Sequence, residues 1–302
     1  MNNLSVDLNG LKLKNPVTVA SGTFGFGREF AEFFSLSNLG AISVKGLTLK
    51  EKLGNPAPRI IETKNGLINS VGLQNPGIEY FIKEEIPFLR QYDTKIIVNI
   101  NGDDIEEYAM MADRLNGADV DSIEVNISCP NVKNGGMLFG TDPDIAYNVV
   151  KKVKKNTRHH IIVKLTPNVT DIKVIAKAVE EAGAEAISLV NTFSAMKIDI
   201  DSQKPVLVRK SGGLSGPAIK PLAVRQVYDA YCAVDIPILG MGGIVNSDDA
   251  IEFMLAGASA VAVGTYNFIN PLVTQEIVDG IIDYMKRKNI DDINEIIGRA
   301  HY

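Results

Sequence analysis

The feature that most constrains the fold of this chain is a series of eight short apolar segments, separated by stretches of helical character. The segments are rich in β-branched residues and almost continuously apolar, which is typical of parallel strands covered on both faces. They lie at residues 17–20, 41–44, 96–100, 122–127, 161–165, 186–190, 236–239 and 260–263.

A weak internal repeat links several of these segments. Gly117-Ala118, Gly183-Ala184 and Gly257-Ala258 each end a helical stretch and lead toward a strand. One βα unit repeated eight times closes into a (β/α)8 TIM barrel, although strand number alone leaves an open doubly wound sheet as an alternative. No Pro- or Ser-rich linker divides the chain, so we predict one α/β domain over residues 1–302.

An N-terminal β-hairpin is indicated ahead of the first barrel strand. Apolar and polar residues alternate over residues 4–13, on both sides of Asn9-Gly10. This dipeptide is typical of two-residue hairpin turns. We expect the hairpin to cover the N-terminal end of the barrel.

Composition narrows the possible partners. The 302-residue chain has a formal net charge of -5, and its basic residues are scattered, which argues against nucleic acid as a main partner. The N-terminus lacks the features of a signal peptide, and no apolar run reaches the roughly 20 residues that cross a bilayer. The two cysteines, Cys129 and Cys232, are far apart in sequence, so we expect reduced thiols, a cytoplasmic location and no membrane association.

Metal chemistry by this chain alone is disfavoured. His159, His160 and His301 do not have the spacing of metal ligands, and two cysteines cannot supply the four ligands of an iron–sulfur cluster. We therefore expect no metal site.

Polar residues or glycines follow all eight apolar segments. In a barrel, catalytic and binding residues lie just beyond the C-terminal ends of the strands, and a non-catalytic scaffold would have little reason to keep polar groups there. In chain order these positions are Ser21-Gly22-Thr23, Lys45-Gly46, Asn99 with Asn101, Asn126 with Cys129, Lys164, Asn191-Thr192, Gly242-Gly243 and Gly264-Thr265.

The glycines and lysines among these positions favour a phosphorylated ligand. Gly242-Gly243 and Gly264-Thr265, after the seventh and eighth segments, expose backbone N–H groups where barrels commonly bind phosphate. Such glycines can also simply turn the chain. A lysine at a strand end can be a Schiff-base nucleophile, a phosphate partner or a stabiliser of an anion. Lys164 suits the last role, because a reduced flavin carries negative charge near N1 and the C2 oxygen.

Cys129 is the candidate catalytic residue in the loop after the fourth strand. Asn126, Ser128 and Asn131 flank it, and Gly135-Gly136 follow. A polar loop with glycine hinges favours a general base or nucleophile on a mobile segment, whereas a small buried hydrophobic residue is the alternative. Cys232 lies in a helical stretch, where we expect it to serve packing.

Four motifs resemble the dihydroorotate dehydrogenase family, and the similarity extends over about residues 4–284. The motifs are NSVGLQNPG at 69–77, NISCPNV at 126–132, SGGLSGPAIKP at 211–221 and GMGGI at 240–244. The resemblance implies oxidation of (S)-dihydroorotate to orotate in pyrimidine biosynthesis, with one FMN per chain. Cys129 would remove the C5 proton while the C6 hydrogen leaves as hydride, and an ordinary thiol pKa of about 8.5 is close enough to neutral for this role.

The resemblance also implies the contacts of each ligand. The implied substrate contacts are Lys45, Asn69, Val71, Gly72, Leu73, Asn126, Asn131, Asn191 and Thr192. The implied FMN contacts are Ser21, Lys45, Gly46, Asn99, Asn126, Lys164 and Val190, with Gly216, Gly242, Gly243, Gly264 and Thr265 at the phosphate end.

Within the family, GGMLFGTDP at 135–143 is similar to the NAD-dependent class 1B catalytic subunit. That class implies a heterotetramer built on a homodimer of catalytic chains, with a partner subunit that carries FAD and a [2Fe-2S] cluster. The fumarate-using class 1A homodimer and a flavin-free, phosphate-binding barrel isomerase or lyase are the alternatives.

Overall fold

The computed structural model describes residues 2–128 and 139–302, so Cys129 and Asn131 lie outside the described residues. Within those ranges an N-terminal hairpin precedes a closed barrel of eight strands, as the sequence predicts. None of the helices in the same ranges is long and apolar enough to cross a membrane.

The strands are short. They are β1 (Val6–Leu8), β2 (Leu11–Leu13), β3 (Val17–Val19), β4 (Ala41–Ser43), β5 (Ile60–Thr63), β6 (Gly66–Asn69), β7 (Lys95–Ile100), β8 (Ser122–Asn126), β9 (His160–Lys164), β10 (Ala186–Leu189), β11 (Phe193–Ala195), β12 (Ile198–Asp199), β13 (Lys204–Pro205), β14 (Gly212–Ser215), β15 (Ile238–Met241) and β16 (Ala260–Val263).

The α-helices lie between the barrel strands and after the last of them. They are α1 (Ile78–Tyr80), α2 (Ile86–Leu89), α3 (Ile105–Leu115), α4 (Pro143–Asn156), α5 (Ile172–Glu181), α6 (Lys220–Tyr231), α7 (Ser247–Leu255) and α8 (Val273–Lys288). A π-helical segment, Phe81–Glu85, joins α1 to α2. Short 3₁₀ turns occur at Phe30–Glu32, Leu36–Asn38, Pro217–Ile219, Thr265–Phe268, Ile293–Ile296 and Arg299–His301.

The barrel strands follow the order β10-β15-β16-β3-β4-β7-β8-β9, and each is parallel to its neighbours. Seven of the eight predicted segments agree with the observed strands to within one residue at each end. The prediction of 236–239 is wrong by two residues, because β15 spans Ile238–Met241. Pro237 has no N–H for the strand ladder, so regular pairing begins after it.

Because β15 begins and ends two residues later than predicted, Gly240 belongs to the strand and not to the loop after it. This glycine lies inside the strand, where a Cβ atom would be 2.8 Å from Phe253 Cδ1 and 2.9 Å from Ala258 Cβ. Its missing side chain therefore allows the strand to pack against α7 and the residues that follow it.

Polar side chains cap the N-termini of two barrel helices. The Asp142 side chain accepts a hydrogen bond from Ile145 N, and Pro143 occupies the first turn of α4. Asn246 caps α7 in the same way by accepting from Asp249 N at 2.9 Å. These caps fix where each helix leaves the loop at the C-terminal end of the preceding strand.

A second, antiparallel sheet in the order β11-β14-β6-β5 lies at the C-terminal end of the barrel. β11 begins four residues after the last residue of β10. The hydroxyl of Thr265, which follows β16, donates to Ser215 Oγ at the end of β14 with a length of 2.7 Å. The second sheet therefore forms one side of the barrel mouth.

The N-terminal hairpin contacts the opposite end of the barrel. Asn9 and Gly10 have φ values of +57° and +105°, as the predicted two-residue turn requires. Asn9 Nδ2 donates to Glu185 O, just before β10, and the Nε2 of His160, the first residue of β9, lies 2.6 Å from Leu8 O. The expectation that the hairpin covers the N-terminal end agrees with these contacts.

The burial of His160 predicts that the stability of the fold depends on pH. Burial lowers the pKa of His160 below its ordinary value of 6.5, although the hydrogen bond to Leu8 O acts in the opposite direction. The neutral ring is therefore favoured in the folded state, and stability is lost as the pH falls below about 6.5, through the folded-state pKa. We expect His160→Gln, which can still donate to Leu8 O, to reduce this loss.

The measurement is the thermal unfolding midpoint of both proteins at about pH 7.5 and about pH 5.5. The wild type should lose more between the two pH values than the variant does. Equal losses would show that His160 does not titrate on unfolding in this range.

Candidate active site

Three asparagine side chains form a hydrogen-bonded row inside the C-terminal end of the barrel. Asn99 Oδ1 accepts from Asn101 Nδ2 at 2.9 Å, and Asn101 Oδ1 accepts from Asn126 Nδ2 at 2.8 Å. All three residues are buried. We term Asn99, Asn101 and Asn126 the amide relay.

The relay continues toward the loop after β10. Asn126 Oδ1 accepts from the backbone N–H of Ser128 at 3.3 Å and from its hydroxyl, and Asn191 Nδ2 donates to Ser128 Oγ. Asn191 Oδ1 in turn accepts from Thr192 N at 2.8 Å. Three predicted substrate residues, Asn126, Asn191 and Thr192, are thus connected, and Ser128 directly precedes Cys129 in the sequence.

The other end of the relay is bonded to a carboxylate that the sequence interpretation missed. Asn99 Nδ2 donates to Glu124 Oε2 at 2.6 Å, and Ser188 Oγ donates to Glu124 Oε1 at 2.7 Å. Glu124 is fully buried. The signal was present in β8, because strand alternation places Ser122, Glu124 and Asn126 on the same face.

Lys164 lies beside this carboxylate and is itself only 3% exposed. Its Nζ forms an ion pair with Glu124 Oε2 at 3.9 Å, a distance too long for a hydrogen bond. The same Nζ donates a hydrogen bond to Ser21 Oγ at 3.2 Å. An ammonium has three N–H donors, and Ser21 is its hydrogen-bond partner among the described residues. Since an unpaired buried donor is costly, the site is suited to an acceptor-rich ligand at this point.

Lys45 and Gly46 follow β4 next to these groups. Lys45 is half-buried, and its Nζ lies 4.0 Å from where a Cβ on Gly22 would stand. At Gly46 a Cβ would come within 2.7 Å of both Asn99 Oδ1 and Asn101 Nδ2. A glycine is therefore needed at position 46 to leave room for the amide relay.

The glycines predicted at the phosphate end lie close together. Gly216 and Gly243 have φ values of +98° and +81°, and a Cβ on Gly243 would be 2.9 Å from Gly216 O. Gly242, with φ +128°, lies against Val190, since its Cβ would be 3.2 Å from Val190 Cγ2. The loops after β10, β14 and β15 thus meet at this corner of the mouth.

Gly264 and Thr265 complete that corner. Thr265 reaches Ser215, the residue before Gly216, through its hydroxyl. A Cβ on Gly264 would find Ala20 Cβ as its nearest neighbour, at 3.7 Å, so packing does not explain the glycine. Open space above a backbone segment is what a ligand in close contact with that backbone would require.

Lys220, at the start of α6, is already paired. Its ammonium donates to Asp249 Oδ1 and to Glu252 Oε2, both at 2.7 Å. These hydrogen bonds, that to Asp249 first, raise the pKa of Lys220. An anion at this corner would therefore depend on backbone N–H groups more than on Lys220.

The second sheet brings Asn69 to the same side of the mouth as Thr192. Asn69, the last residue of β6, donates to Gly213 O at 3.4 Å. A Cβ on Gly213 would be 1.9 Å from Thr192 Oγ1, so Thr192 packs directly on this strand.

The predicted residues Val71, Gly72 and Leu73 continue from β6 into a loop. Val71 O accepts from Asn55 N at 2.9 Å, and Gly72 and Leu73 have φ values of +79° and +56°. The positive φ values turn the backbone sharply at this point.

Across residues 2–128 and 139–302, no group of three His, Cys, Asp or Glu side chains is arranged to hold a metal ion. Cys232 is exposed, so the expectation that it serves packing is wrong, and its Sγ lies 3.4 Å from His301 Nδ1.

Comparison with known proteins gives a consistent family. A family model described as Dihydroorotate dehydrogenase matches residues 3–285. A protein of Thermoanaerobacter pseudethanolicus named Dihydroorotate dehydrogenase B (NAD(+)), catalytic subunit, is 60% identical over 98% of each chain. Proteins with the same name from Alkaliphilus oremlandii, 59% identical over 98% of each chain, and from Malacoplasma penetrans, 52% identical over 99% of this chain and 98% of its own, are also similar. This chain therefore belongs to the dihydroorotate dehydrogenase family.

Proposed function

We propose that this chain is a single FMN-binding domain that oxidises (S)-dihydroorotate to orotate in pyrimidine biosynthesis and passes the electrons to NAD through a partner subunit. The observation that carries the proposal is the buried ammonium of Lys164 at the barrel mouth, whose three N–H donors find one hydrogen-bond partner, Ser21, within residues 2–128 and 139–302. The names of the similar proteins support the substrate and the acceptor.

The residues present fit FMN. Lys164 would donate to the part of the reduced flavin ring that carries negative charge, and Gly264 leaves its backbone open to a ligand. Backbone N–H groups at Gly216, Gly242, Gly243, Gly264 and Thr265 would hold the phosphate. When bound, FMN supplies the acceptor for the hydride from substrate C6. The other proposed FMN contacts are Ser21, Lys45, Gly46, Asn99, Asn126 and Val190.

The substrate is proposed to bind between the amide relay and the second sheet. Dihydroorotate has an imide edge and a carboxylate, and side-chain amides such as Asn69, Asn126 and Asn191 offer both the donors and the acceptors that an imide needs. Lys45 supplies positive charge for the carboxylate or the developing product. Val71, Gly72, Leu73 and Thr192 complete the proposed contacts of the described chain.

Cys129 and Asn131 enter the proposal through the family motif NISCPNV alone. Cys129 is the proposed base for the C5 proton, and Asn131 is a proposed substrate contact. Support for this position comes from Ser128, the preceding residue, whose hydroxyl is bonded between Asn126 and Asn191. The thiol would thus be attached next to the proposed substrate contacts.

The partner subunit is proposed to carry FAD and a [2Fe-2S] cluster in a heterotetramer built on a homodimer of this chain. The word "subunit" in the names of the similar proteins indicates a second chain. This chain has two cysteines and so lacks the four ligands that a cluster needs. Electrons that leave the site for NAD would therefore require redox centres on another protein.

The choice of acceptor tests this proposal. The isolated chain should reduce an artificial dye with dihydroorotate, should form no NADH, and should form NADH once the partner subunit is added. Dye reduction and NADH absorbance are the measurements. Rapid fumarate reduction by the isolated chain would instead assign it to the class 1A type.

The role of Cys129 is tested by Cys129→Ala. Loss of a general base typically slows a reaction by about 10²- to 10⁴-fold, so turnover with the dye should fall by that order while FMN remains bound. Cys232→Ala is the matched control, because this exposed thiol contacts His301 and is not proposed to touch either ligand. The control should keep its rate, and unchanged turnover of Cys129→Ala would remove the thiol from the mechanism.

A further inference from the structure

We propose that Glu124 is a positioning residue for the flavin site, acting through Lys164 and the amide relay. The inference rests on the proposed function, since it concerns how this chain binds FMN. Glu124 lies on β8 inside the barrel with no exposed surface. Both of its carboxylate oxygens accept hydrogen bonds, from Asn99 and from Ser188. This arrangement suits an ionised carboxylate, which can only accept.

Glu124 sets the direction of every amide in the relay. Because a carboxylate accepts only, Asn99 must present its Nδ2 to Glu124 and therefore its Oδ1 to Asn101. Asn101 must then present its Oδ1 to Asn126, which leaves the Asn126 Oδ1 for Ser128. Reversing Asn99 would place two oxygens against each other at 2.6 Å, the distance that now separates its Nδ2 from Glu124 Oε2.

Glu124 also supplies the counter-charge for Lys164. The ammonium is 3% exposed, and Glu124 Oε2, at 3.9 Å, is the carboxylate with which it pairs. A buried charge is costly unless an opposite charge accompanies it. Glu124 therefore stabilises the Lys164 ammonium in its place beside the proposed FMN site, although the carboxylate makes no direct contact with the ligand in this proposal.

The experiment is a double-mutant cycle on FMN affinity. Glu124→Gln keeps the size of the side chain and one acceptor oxygen, replaces the other oxygen by an amide donor, and removes the charge. The apo-proteins of the wild type, Glu124→Gln, Lys164→Gln and the double variant are titrated with FMN, and quenching of flavin fluorescence gives each dissociation constant. The coupling free energy between Glu124 and Lys164 in FMN binding distinguishes a positioning role from general damage to the fold.

We expect each single variant to bind FMN about 10- to 100-fold more weakly, the range for interactions with a charged partner. The double variant should bind within about threefold of Lys164→Gln alone, because the amide oxygen introduced by Glu124→Gln can still accept from Asn99 and keep the relay in place, so the effect of the lost charge passes through the lysine. Losses that multiply in the double variant, or a Glu124→Gln protein with wild-type affinity, would overturn the inference.

Two further variants serve as a control and as a substitute for Glu124→Gln. Thr18→Val removes the hydroxyl of another buried barrel residue, which donates to Val261 O at 3.0 Å. This variant should leave FMN affinity unchanged even if it lowers stability. Ser188→Ala keeps the charge and frees only Oε1, so it serves if Glu124→Gln does not fold. It should weaken FMN binding about threefold when Lys164 is present and not when Lys164 is replaced; equal losses in both backgrounds would overturn the inference.

Failure of this inference differs from failure of the proposed function. A wild-type apo-protein that does not bind FMN would overturn both. Tight binding by the wild type, together with independent effects of the two variants, would overturn the role of Glu124 alone.

Discussion

The ion pair between Lys164 and Glu124 is the constraint on which the barrel mouth depends. A charged side chain in a protein interior is costly unless an opposite charge and hydrogen bonds accompany it. Here the two charges come from adjacent strands, 3.9 Å apart, and Asn99 and Ser188 hold the carboxylate. The ion pair thereby holds the Lys164 ammonium at the base of the barrel mouth, beside Ser21.

The parallel barrel makes this arrangement possible through its register. Asn126, Lys164 and Ser188 are directly paired across β8, β9 and β10, and Asn99 is paired with Glu124 on β7 and β8. Side chains at paired positions share a face of the sheet, so all five point into the barrel. A slip of one residue in β8 would turn Glu124 outward and leave the lysine without its counter-charge.

The sequence alone predicted the eight barrel strands and the N-terminal hairpin, because both leave local signals, but it did not predict the second sheet. The roles of the site residues stay predictions. Apolar runs and Asn9-Gly10 predict the strands and the hairpin, and polar residues at strand exits predict the mouth. The start of β15 was misplaced because the apolar run begins at Ile236, whereas regular pairing begins only after Pro237, which has no N–H to donate. Glu124 was missed because its function comes from side chains distant in sequence. The role of Cys129 stays a prediction, since it lies outside the described residues.

The account requires that these groups surround a flavin that dihydroorotate can reduce. The most direct measurement is the visible absorption spectrum of the purified protein, without oxygen, before and after addition of (S)-dihydroorotate. The account predicts the absorption bands of oxidised flavin at first and their bleaching once substrate is added. A protein that shows no flavin bands even after incubation with FMN, or whose bands do not change with dihydroorotate, would contradict it.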